Sequence, residues 1–290
     1  MRKKERYLIT FYGFIQLLAS NPDNIVIGLV RDIKATQDHL KADGLSHVHV
    51  LKADITDGQS LRRAAGETRE ILGERGLDVL INNAAYVSDV TAVVSLRDLE
   101  QDPARLLQDT QKSFDVNVFG VYKTIHAFLP LVQQGELKKV VGISSGMGDI
   151  DFINAYDVAQ AAPYALSKAA MSTLFAKFNA AYRRQGILFM TLCPGLVDTA
   201  ATNTNTCAAL SPSFSLRSPL TSTAVSDEDL ARLQDIQKRF ETAGLNTIPM
   251  KPIESAQRCL KAIHSSSLSS GHGGSFLSYN GTKEWAKKLE

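Results

Sequence analysis

The sequence predicts an α/β fold in which about seven parallel strands form one doubly wound sheet, with helices on both of its faces. Short runs rich in β-branched residues alternate along the chain with longer stretches that repeat apolar residues every three or four positions. Such alternation is typical of βαβ units. The short runs are apolar at nearly every position, as expected for parallel strands that are buried on both faces.

Seven short runs are predicted to be the strands of this sheet. The second run follows a turn sequence, Asn21-Pro-Asp-Asn24, and another turn follows the third run. The runs are residues 7–10, 25–30, 48–52, 79–82, 140–144, 188–192 and 275–278. An open parallel sheet of this kind is a Rossmann-type fold, which binds ligands at the carboxyl edge of its strands.

Amphipathic spacing predicts helices between these strands. The predicted helices are residues 60–72, 104–132, 163–184, 227–243 and 253–264, with Ser226 as N-cap of the fourth. A chain of 290 residues favours a single domain over residues 1–290. Within it, residues 200–250 are predicted to form a substrate lid that begins with a polar loop, because sheet strands flank this insertion on both sides.

Composition excludes several classes of function. The net charge is +2, with 44% hydrophobic and 21% charged residues, which predicts neither nucleic acid nor a membrane as a partner. No stretch reaches the ~20 apolar residues that a membrane span needs. Cys193, Cys207 and Cys259 are too few and too widely spaced for a disulfide framework or a metal site. We therefore expect a cytoplasmic protein that holds no metal.

The candidate catalytic residues follow predicted strands or begin a predicted helix. Tyr164 and Lys168 are four residues apart, so they share one face of the helix that starts near residue 163. The fifth strand ends in Ser144-Ser145, at the edge of the sheet where ligands bind. Asn117 lies inside the predicted helix 104–132.

Five short motifs occur in a specific order along the chain. They are Asn82-Asn83-Ala84, Asn117, Ser144-Ser145, Tyr164-x-x-x-Lys168, and Pro194-Gly195 followed by Val197 and Thr199. In this order the chain resembles the short-chain dehydrogenase/reductase family over nearly its whole length. Residues 21–32 and 274–281 are most similar to fungal ketoreductases of the norsolorinic acid reductase type.

The resemblance implies how these residues reduce a ketone. Tyr164 donates the proton, and the positive charge of Lys168 lowers the tyrosine pKa from its ordinary value of ~10. Lys168 would also bond the ribose of the nicotinamide. Ser145, or alternatively Ser144, donates to the carbonyl oxygen, where negative charge develops. The family pattern favours Ser145. Asn117 would complete a water-linked proton path behind Lys168.

The predicted cofactor is NADP. Arg31 follows the second strand and suits a 2′-phosphate, whereas a carboxylate at that position would select NAD. The adjacent Asp32 keeps the NAD alternative open. The resemblance implies that the cofactor contacts Arg31, Asp54, Asn82, Ala84, Tyr164, Lys168, Pro194, Gly195, Val197 and Thr199.

One part of the family pattern is missing. After its first strand the family has Thr-Gly-x-x-x-Gly-x-Gly, whose glycines let the backbone approach the pyrophosphate at a helix N-terminus. Here the sequence is Thr10-Phe11-Tyr12-Gly13, so a stretch about as long as the glycine motif is missing between Thr10 and Phe11. We expect cofactor affinity to fall greatly as a result.

Three functional hypotheses follow. The first is an NADP-dependent reductase that converts a ketone, of aromatic or polyketide type, to a secondary alcohol, working as a homodimer or homotetramer paired through the helices over 104–132 and 163–184. The second is a relic that keeps the fold and binds a partner or ligand without turnover. The third is a metal-dependent hydrolase or lyase, for which His47 and His49 offer too few ligands.

Overall fold

Seven parallel strands form one sheet in the computed structural model, which describes residues 4–10, 12–198, 227–242 and 248–282. The strands are β1 (Arg6–Ile9), β2 (Ile25–Val30), β3 (His49–Lys52), β4 (Val79–Asn82), β5 (Lys139–Ile143), β6 (Leu188–Cys193) and β7 (Phe276–Ser278). Their order is β3-β2-β1-β4-β5-β6-β7, and every neighbouring pair is parallel. The predicted fold class is therefore confirmed, and each predicted run overlaps one strand.

Helices connect and cover the strands. They are α1 (Tyr12–Ala19), α2 (Ile33–Ala42), α3 (Gly58–Leu72), α4 (Pro103–Phe114), α5 (Val121–Gln134), α6 (Ile150–Tyr156), α7 (Ala162–Tyr182), α8 (Asp227–Thr242) and α9 (Pro252–Ser265). Four of them begin at an aspartate whose side chain accepts a hydrogen bond from a backbone N–H of the first turn. These N-caps are Asp32, Asp57, Asp102 and Asp149. Within the described ranges, no helix is long and apolar enough to cross a membrane.

The long helix predicted over residues 104–132 is interrupted. A π-helical segment, Asp115–Gly120, joins α4 to α5, so the prediction of one continuous helix was wrong here. Apolar spacing cannot reveal this change, because the backbone merely widens to i→i+5 hydrogen bonds. Asn117 lies inside the widened turn and is fully buried. Such segments occur often at functional sites.

Two apolar clusters hold the helices on the sheet, one on each face. Successive side chains of a strand point to opposite faces. Leu8 accordingly packs in the cluster that contains Phe128 of α5 and Phe175 of α7. Ile9 packs in the other cluster, which contains Phe14 of α1 together with residues of α9. Burial on both faces fixes the strands in register and brings their carboxyl ends to one edge.

The amino end of β1 is fixed by a buried ion pair. The Arg6 guanidinium donates to both carboxylate oxygens of Asp78, at 2.6 and 3.0 Å, and the Arg6 backbone N–H donates to the same carboxylate at 3.0 Å. Both side chains are at most 4% exposed. Asp78 directly precedes β4, so the pair ties β1 to the central strand of the sheet.

Asp78→Ala is expected to lower the free energy of unfolding by about 3–5 kcal/mol, because it leaves the buried Arg6 guanidinium with only the half-exposed Glu136 as a carboxylate partner, at 3.1 Å. Urea unfolding would measure the loss. The matched control is the double variant Arg6→Met with Asp78→Leu, which removes both charges and should recover most of the stability. An equal loss in both variants would contradict a role for the charge pairing.

Candidate active site

A cavity of about 860 Å³ lies at the carboxyl edge of the sheet. Its wall includes residues that follow six of the strands, β1 to β6, and residues of the first two turns of α7. The predicted site residues that line it are Arg31, Asp54, Ala84, Ser145, Tyr164, Lys168, Pro194, Gly195 and Val197. Asn82 and Asn117 lie behind the wall, and Thr199 lies outside the described residues.

The first turns of α7 carry Tyr164 and Lys168. The helix begins after Ala161, whose backbone is left-handed (φ 57°), and has Pro163 in its first turn. Lys168 is 2% exposed, and its ammonium donates to the carbonyl of Ile143 at 2.7 Å. The same ammonium lies 5.5 Å from the centre of the Tyr164 ring. The structure thus places one buried positive charge beside the tyrosine, as the four-residue spacing predicts.

The two serines after β5 have different surroundings. Ser144 is buried, and its Oγ lies 3.1 Å from the Oγ of Ser172 on α7. The Oγ of Ser145 accepts a hydrogen bond from the backbone N–H of Met147 at 3.2 Å. Accepting that bond leaves the Ser145 hydroxyl hydrogen available for another partner in the cavity. The geometry therefore favours Ser145 over Ser144 as the donor to a bound carbonyl.

Asn117 connects the segment after β4 to α7, the helix that carries Tyr164 and Lys168. Its Oδ1 accepts from the Tyr86 N–H at 2.7 Å, and its Nδ2 donates to the Tyr86 carbonyl at 2.9 Å. Nδ2 also donates to the Oγ of Ser167 at 2.9 Å, and Ser167 donates in turn to the Tyr164 carbonyl at 2.7 Å. These bonds give the Asn117 side chain a positioning role. It holds the segment after β4 against the turn that carries Tyr164.

The segments after β2 and β3 bring Arg31 and Asp54 to one end of the cavity. The neighbouring Asp32 is used otherwise, because its Oδ1 accepts from the Ala35 N–H at 3.0 Å and caps α2. Hydrogen bonds from the hydroxyl and the backbone N–H of Thr56 hold the pKa of Asp54 below its ordinary value. This end of the cavity therefore presents a guanidinium and an ionised carboxylate.

The segment after β4 is anchored by Thr10. The Thr10 hydroxyl accepts hydrogen bonds from the backbone N–H groups of Asn83 and Ala84, at 2.8 and 2.7 Å. Asn82 is buried, and its side chain donates to the Val141 carbonyl at 3.4 Å. Of the two adjacent asparagines, Asn83 is the one that lines the cavity.

The segment after β6 is held in place by α9 and by Met250. The Pro194 carbonyl accepts a hydrogen bond from the Ser255 hydroxyl at 2.8 Å. The backbone of Met250 bonds to Leu196 and Asp198, at 2.9 Å each. Gly195 has φ +75°, and a Cβ there would lie 2.6 Å from the Met250 side chain. This position therefore requires glycine.

A comparison with models of known protein families identifies the family of this chain. Residues 14–208 match the model for short chain dehydrogenases. The chain belongs to the short-chain dehydrogenase family. The match begins inside α1, after the position where the family has its glycine turn.

Fungal members of the family are similar over almost their full length. The short-chain dehydrogenase virK of Hypocrea virens is 35% identical over 277 residues, which are 94% of each chain. The short-chain dehydrogenase/reductase AacuF of Aspergillus aculeatus is 39% identical over 276 residues, also 94% of each chain. Among solved structures, NADPH-bound carbonyl reductase from chicken fatty liver superposes with a TM-score of 0.69 at 22% identity, covering 97% of this chain and 98% of the other.

Members of this family use nicotinamide cofactors. The residues at both ends of the cavity are chemically suited to bind such a cofactor. Arg31 and Asp54 offer groups for an adenosine phosphate and an adenine amino group. Lys168, Tyr164 and Val197 line the same cavity, and their side chains suit the nicotinamide half of such a cofactor. The departure from the family lies between these ends. Only Thr10 and Phe11 separate β1 from α1, and the side chains of α1 that line the wall are apolar, Phe14 and Ile15.

Two wall residues were missed by sequence reasoning. The Lys112 ammonium lies 4.2 Å from the centre of the Tyr86 ring, and both side chains line the cavity. Tyr86 could have been found, because it directly follows the Asn-Asn-Ala-Ala end of β4. Nothing in the sequence indicates that Lys112 lies above it, since the contact depends on how α4 packs beside that segment.

The hypothesis of a metal-dependent enzyme requires a set of metal ligands. Among the residues that the structure describes, no group of three or more His, Cys, Asp or Glu side chains could hold a metal ion. His47 and His49 are exposed at the edge of the sheet, near and in β3.

Part of the predicted lid packs on the segment between Ser145 and Tyr164. Phe240 of α8 lies 5.3 Å from Phe152 of α6, measured between ring centres. The Arg239 guanidinium donates to the carbonyls of Tyr156 and Asp157, at 3.0 and 2.9 Å, where α6 ends. Met147, which lines the cavity, packs on this cluster too. Ser226 and residues 200–225 of the predicted lid lie outside the described residues.

Arg239→Ala is expected to loosen α6 and α8 together, because it removes two hydrogen bonds to the last carbonyls of α6. We expect hydrogen exchange at residues 150–161 to accelerate about tenfold, which corresponds to about 1.4 kcal/mol of local opening free energy. Arg239 also forms an i,i+4 ion pair with Asp235 at 2.9 Å. The control is Arg258→Ala on α9, which removes an i,i+4 ion pair of the same length, to Glu254. Equal acceleration at these residues in both variants would contradict a specific contact by Arg239.

Proposed function

We propose that this protein is an NADP-dependent oxidoreductase that reduces a ketone to a secondary alcohol. The observation that carries the proposal is one cavity whose wall contains Ser145, Tyr164 and Lys168 together with Arg31. The first three are the donors that a carbonyl reduction needs, and Arg31 is suited to the 2′-phosphate that distinguishes NADP from NAD. Use of Asp32 as a helix cap supports NADP, because its carboxylate is committed to α2.

Each side chain has a separate task in the proposed reaction. The bound cofactor supplies the hydride to the carbonyl carbon. The Ser145 hydroxyl donates a hydrogen bond to the carbonyl oxygen, where negative charge develops. The Tyr164 hydroxyl delivers the proton to that oxygen, leaving a phenolate. The Lys168 ammonium, 5.5 Å from the ring centre, stabilises this anion because an opposite charge favours the ionised form.

The apolar part of the wall supports the substrate class that we propose. Val87, Met147 and Leu196 contribute apolar surface to the cavity. We propose that the substrate is an aromatic or polyketide-type ketone. We also propose that the protein is a single domain and that its residues 200–250 include the substrate lid. The location we propose is the cytoplasm. The solved carbonyl reductases that share this fold are in keeping with the reaction class.

A homodimer or homotetramer is part of the proposal. The helices predicted to pair, α4, α5 and α7, expose several large apolar side chains. These are Leu107, Phe119, Tyr122 and Leu166, each between 47% and 69% exposed. The π-helical segment between α4 and α5 carries Phe119. Exposed apolar groups of this kind favour a protein–protein contact.

The alternative is a relic that binds without turnover. The specific observation in its favour is the two-residue connection from β1 to α1, which lacks the glycine turn of the family. The intact Ser145, Tyr164 and Lys168 favour the enzyme.

An activity panel tests the proposed function. The purified chain is supplied with NADPH and with polycyclic aromatic ketones, simple aliphatic ketones and aldose sugars, and NADPH oxidation is followed at its absorbance band. We expect turnover with the polycyclic ketones. A preference for sugars would overturn the substrate class, and NADPH binding without oxidation in any sample would favour the relic.

A further inference from the structure

Three cationic side chains line the cavity among the described residues. They are Arg31, Lys112 and Lys168. Arg31 and Lys168 lie at the two ends of the cavity, and the proposed function assigns a role to each of them. Lys112, on α4, has none. A nicotinamide dinucleotide carries two further negative charges on the diphosphate that joins its halves, so the distribution of positive charge between the ends of the cavity matters.

Among the described residues, those around the connection from β1 to α1 offer few donors for a diphosphate. The connection from β1 to α1 is two residues long, and Phe14 and Ile15 of α1 present apolar surface to the cavity. Two backbone N–H groups beside it, those of Asn83 and Ala84, already donate to the Thr10 hydroxyl. Within the part of the chain that the structure describes, a cationic side chain is therefore a group that can bring positive charge to the diphosphate in place of a glycine turn.

Lys112 contacts Tyr86, which lies two residues after Ala84, and the Ala84 N–H donates to Thr10 in that connection. The Lys112 ammonium lies 4.2 Å from the centre of the Tyr86 ring, which is a cation–π contact. Tyr86 follows β4, which pairs with β1 in the sheet. Both backbone polar groups of Tyr86 are bonded to the buried Asn117 side chain, at 2.7 and 2.9 Å. The backbone that carries the ring is thus held in place beneath the ammonium.

We propose that Lys112 binds the diphosphate of the dinucleotide and partly replaces the missing glycine turn, an inference that rests on the proposed function. A lysine ammonium is a compact charge on a flexible stem and binds phosphate without a required angle. The contact with the Tyr86 ring limits where that stem points. Asn117, by fixing Tyr86, links the cofactor site to the turn that carries Tyr164.

The test compares ligands with and without a diphosphate. Isothermal titration measures the dissociation constants of NADPH and of adenosine 2′-phosphate for the full chain and for Lys112→Met. Methionine keeps the length and apolar stem of the lysine and removes its charge. The matched control is Lys177→Met, which removes one positive charge from an exposed position on α7 that does not line the cavity. Lys112→Arg keeps the charge and serves as the rescue variant.

We expect Lys112→Met to weaken NADPH binding about tenfold, as loss of one charge-assisted phosphate contact of about 1.4 kcal/mol would do. Adenosine 2′-phosphate should bind all variants equally, and Lys112→Arg should recover most of the NADPH affinity. Equal NADPH affinity in Lys112→Met and the unaltered chain would overturn this inference and leave the proposed function standing. Equal weakening of both ligands would also overturn it, because Lys112 would then act at the adenosine end. Failure of the unaltered chain to bind NADPH would overturn both.

Discussion

Tyr164→Phe is expected to lower the rate of NADPH-dependent ketone reduction by about 10²–10⁴-fold, the range for a positioned general acid. The substitution removes one oxygen atom, and with it the proton that the carbonyl oxygen must receive. NADPH affinity should fall far less than the rate, because the ring and the neighbouring Lys168 remain. Steady-state kinetics with a polycyclic aromatic ketone, combined with titration of NADPH, would separate the two effects.

Tyr182→Phe is the matched control for this loss. It removes the same hydroxyl from the same helix, α7, at a position that does not line the cavity. We expect its rate to equal that of the unaltered chain. Retention of full activity in Tyr164→Phe would contradict the assignment of the proton donor. In that case Ser145→Ala would show whether the serine hydroxyl supplies the proton.

Restoring the glycine turn is expected to strengthen NADPH binding by about 10²-fold. The variant carries a seven-residue insertion, Gly-Ala-Ser-Ser-Gly-Ile-Gly, between Thr10 and Phe11, which recreates the spacing of the family. Two new backbone N–H groups facing the diphosphate would each contribute about 1.5 kcal/mol, as hydrogen bonds to a charged group do. Fluorescence titration with NADPH measures the gain.

The control insertion has the same length with alanine at each glycine position. Alanine disfavours the backbone conformations of the tight turn, so this insertion should give no gain. A gain of the same size from both insertions would show that connection length alone limits cofactor binding. No gain from the glycine insertion would contradict the view that the two-residue connection weakens the diphosphate site.

The fold was predictable because its signals are local. Each strand is an apolar run and most helices carry amphipathic spacing, so burial on two faces can be inferred from the chain alone. The break at Asp115–Gly120 was not predictable, since it changes the hydrogen-bond register of the helix without changing the apolar pattern. The role of Asp32 was also open in the sequence, and the structure shows it capping α2.

The position of a candidate site residue was predictable where that residue follows closely after a strand. Ser145 and Arg31 come directly after strands, and such residues meet at the carboxyl edge of a parallel sheet. The motif pointed to Asn82, but Asn83 is the one that lines the cavity, because the direction of each side chain at the end of β4 cannot be read from a motif. The Tyr86–Lys112 contact depended on the packing of α4 beside that segment. Such contacts between distant parts of the chain need the three-dimensional structure.

The central claim is that this chain, despite its short connection after β1, holds NADPH beside Tyr164. The most direct test is a fluorescence titration of the purified chain with NADPH and, separately, with NADH. We predict saturable NADPH binding that is tighter than NADH binding, because Arg31 is placed to meet the 2′-phosphate. Absence of binding for both nucleotides would contradict the claim and support the relic, and tighter binding of NADH would contradict the role given to Arg31.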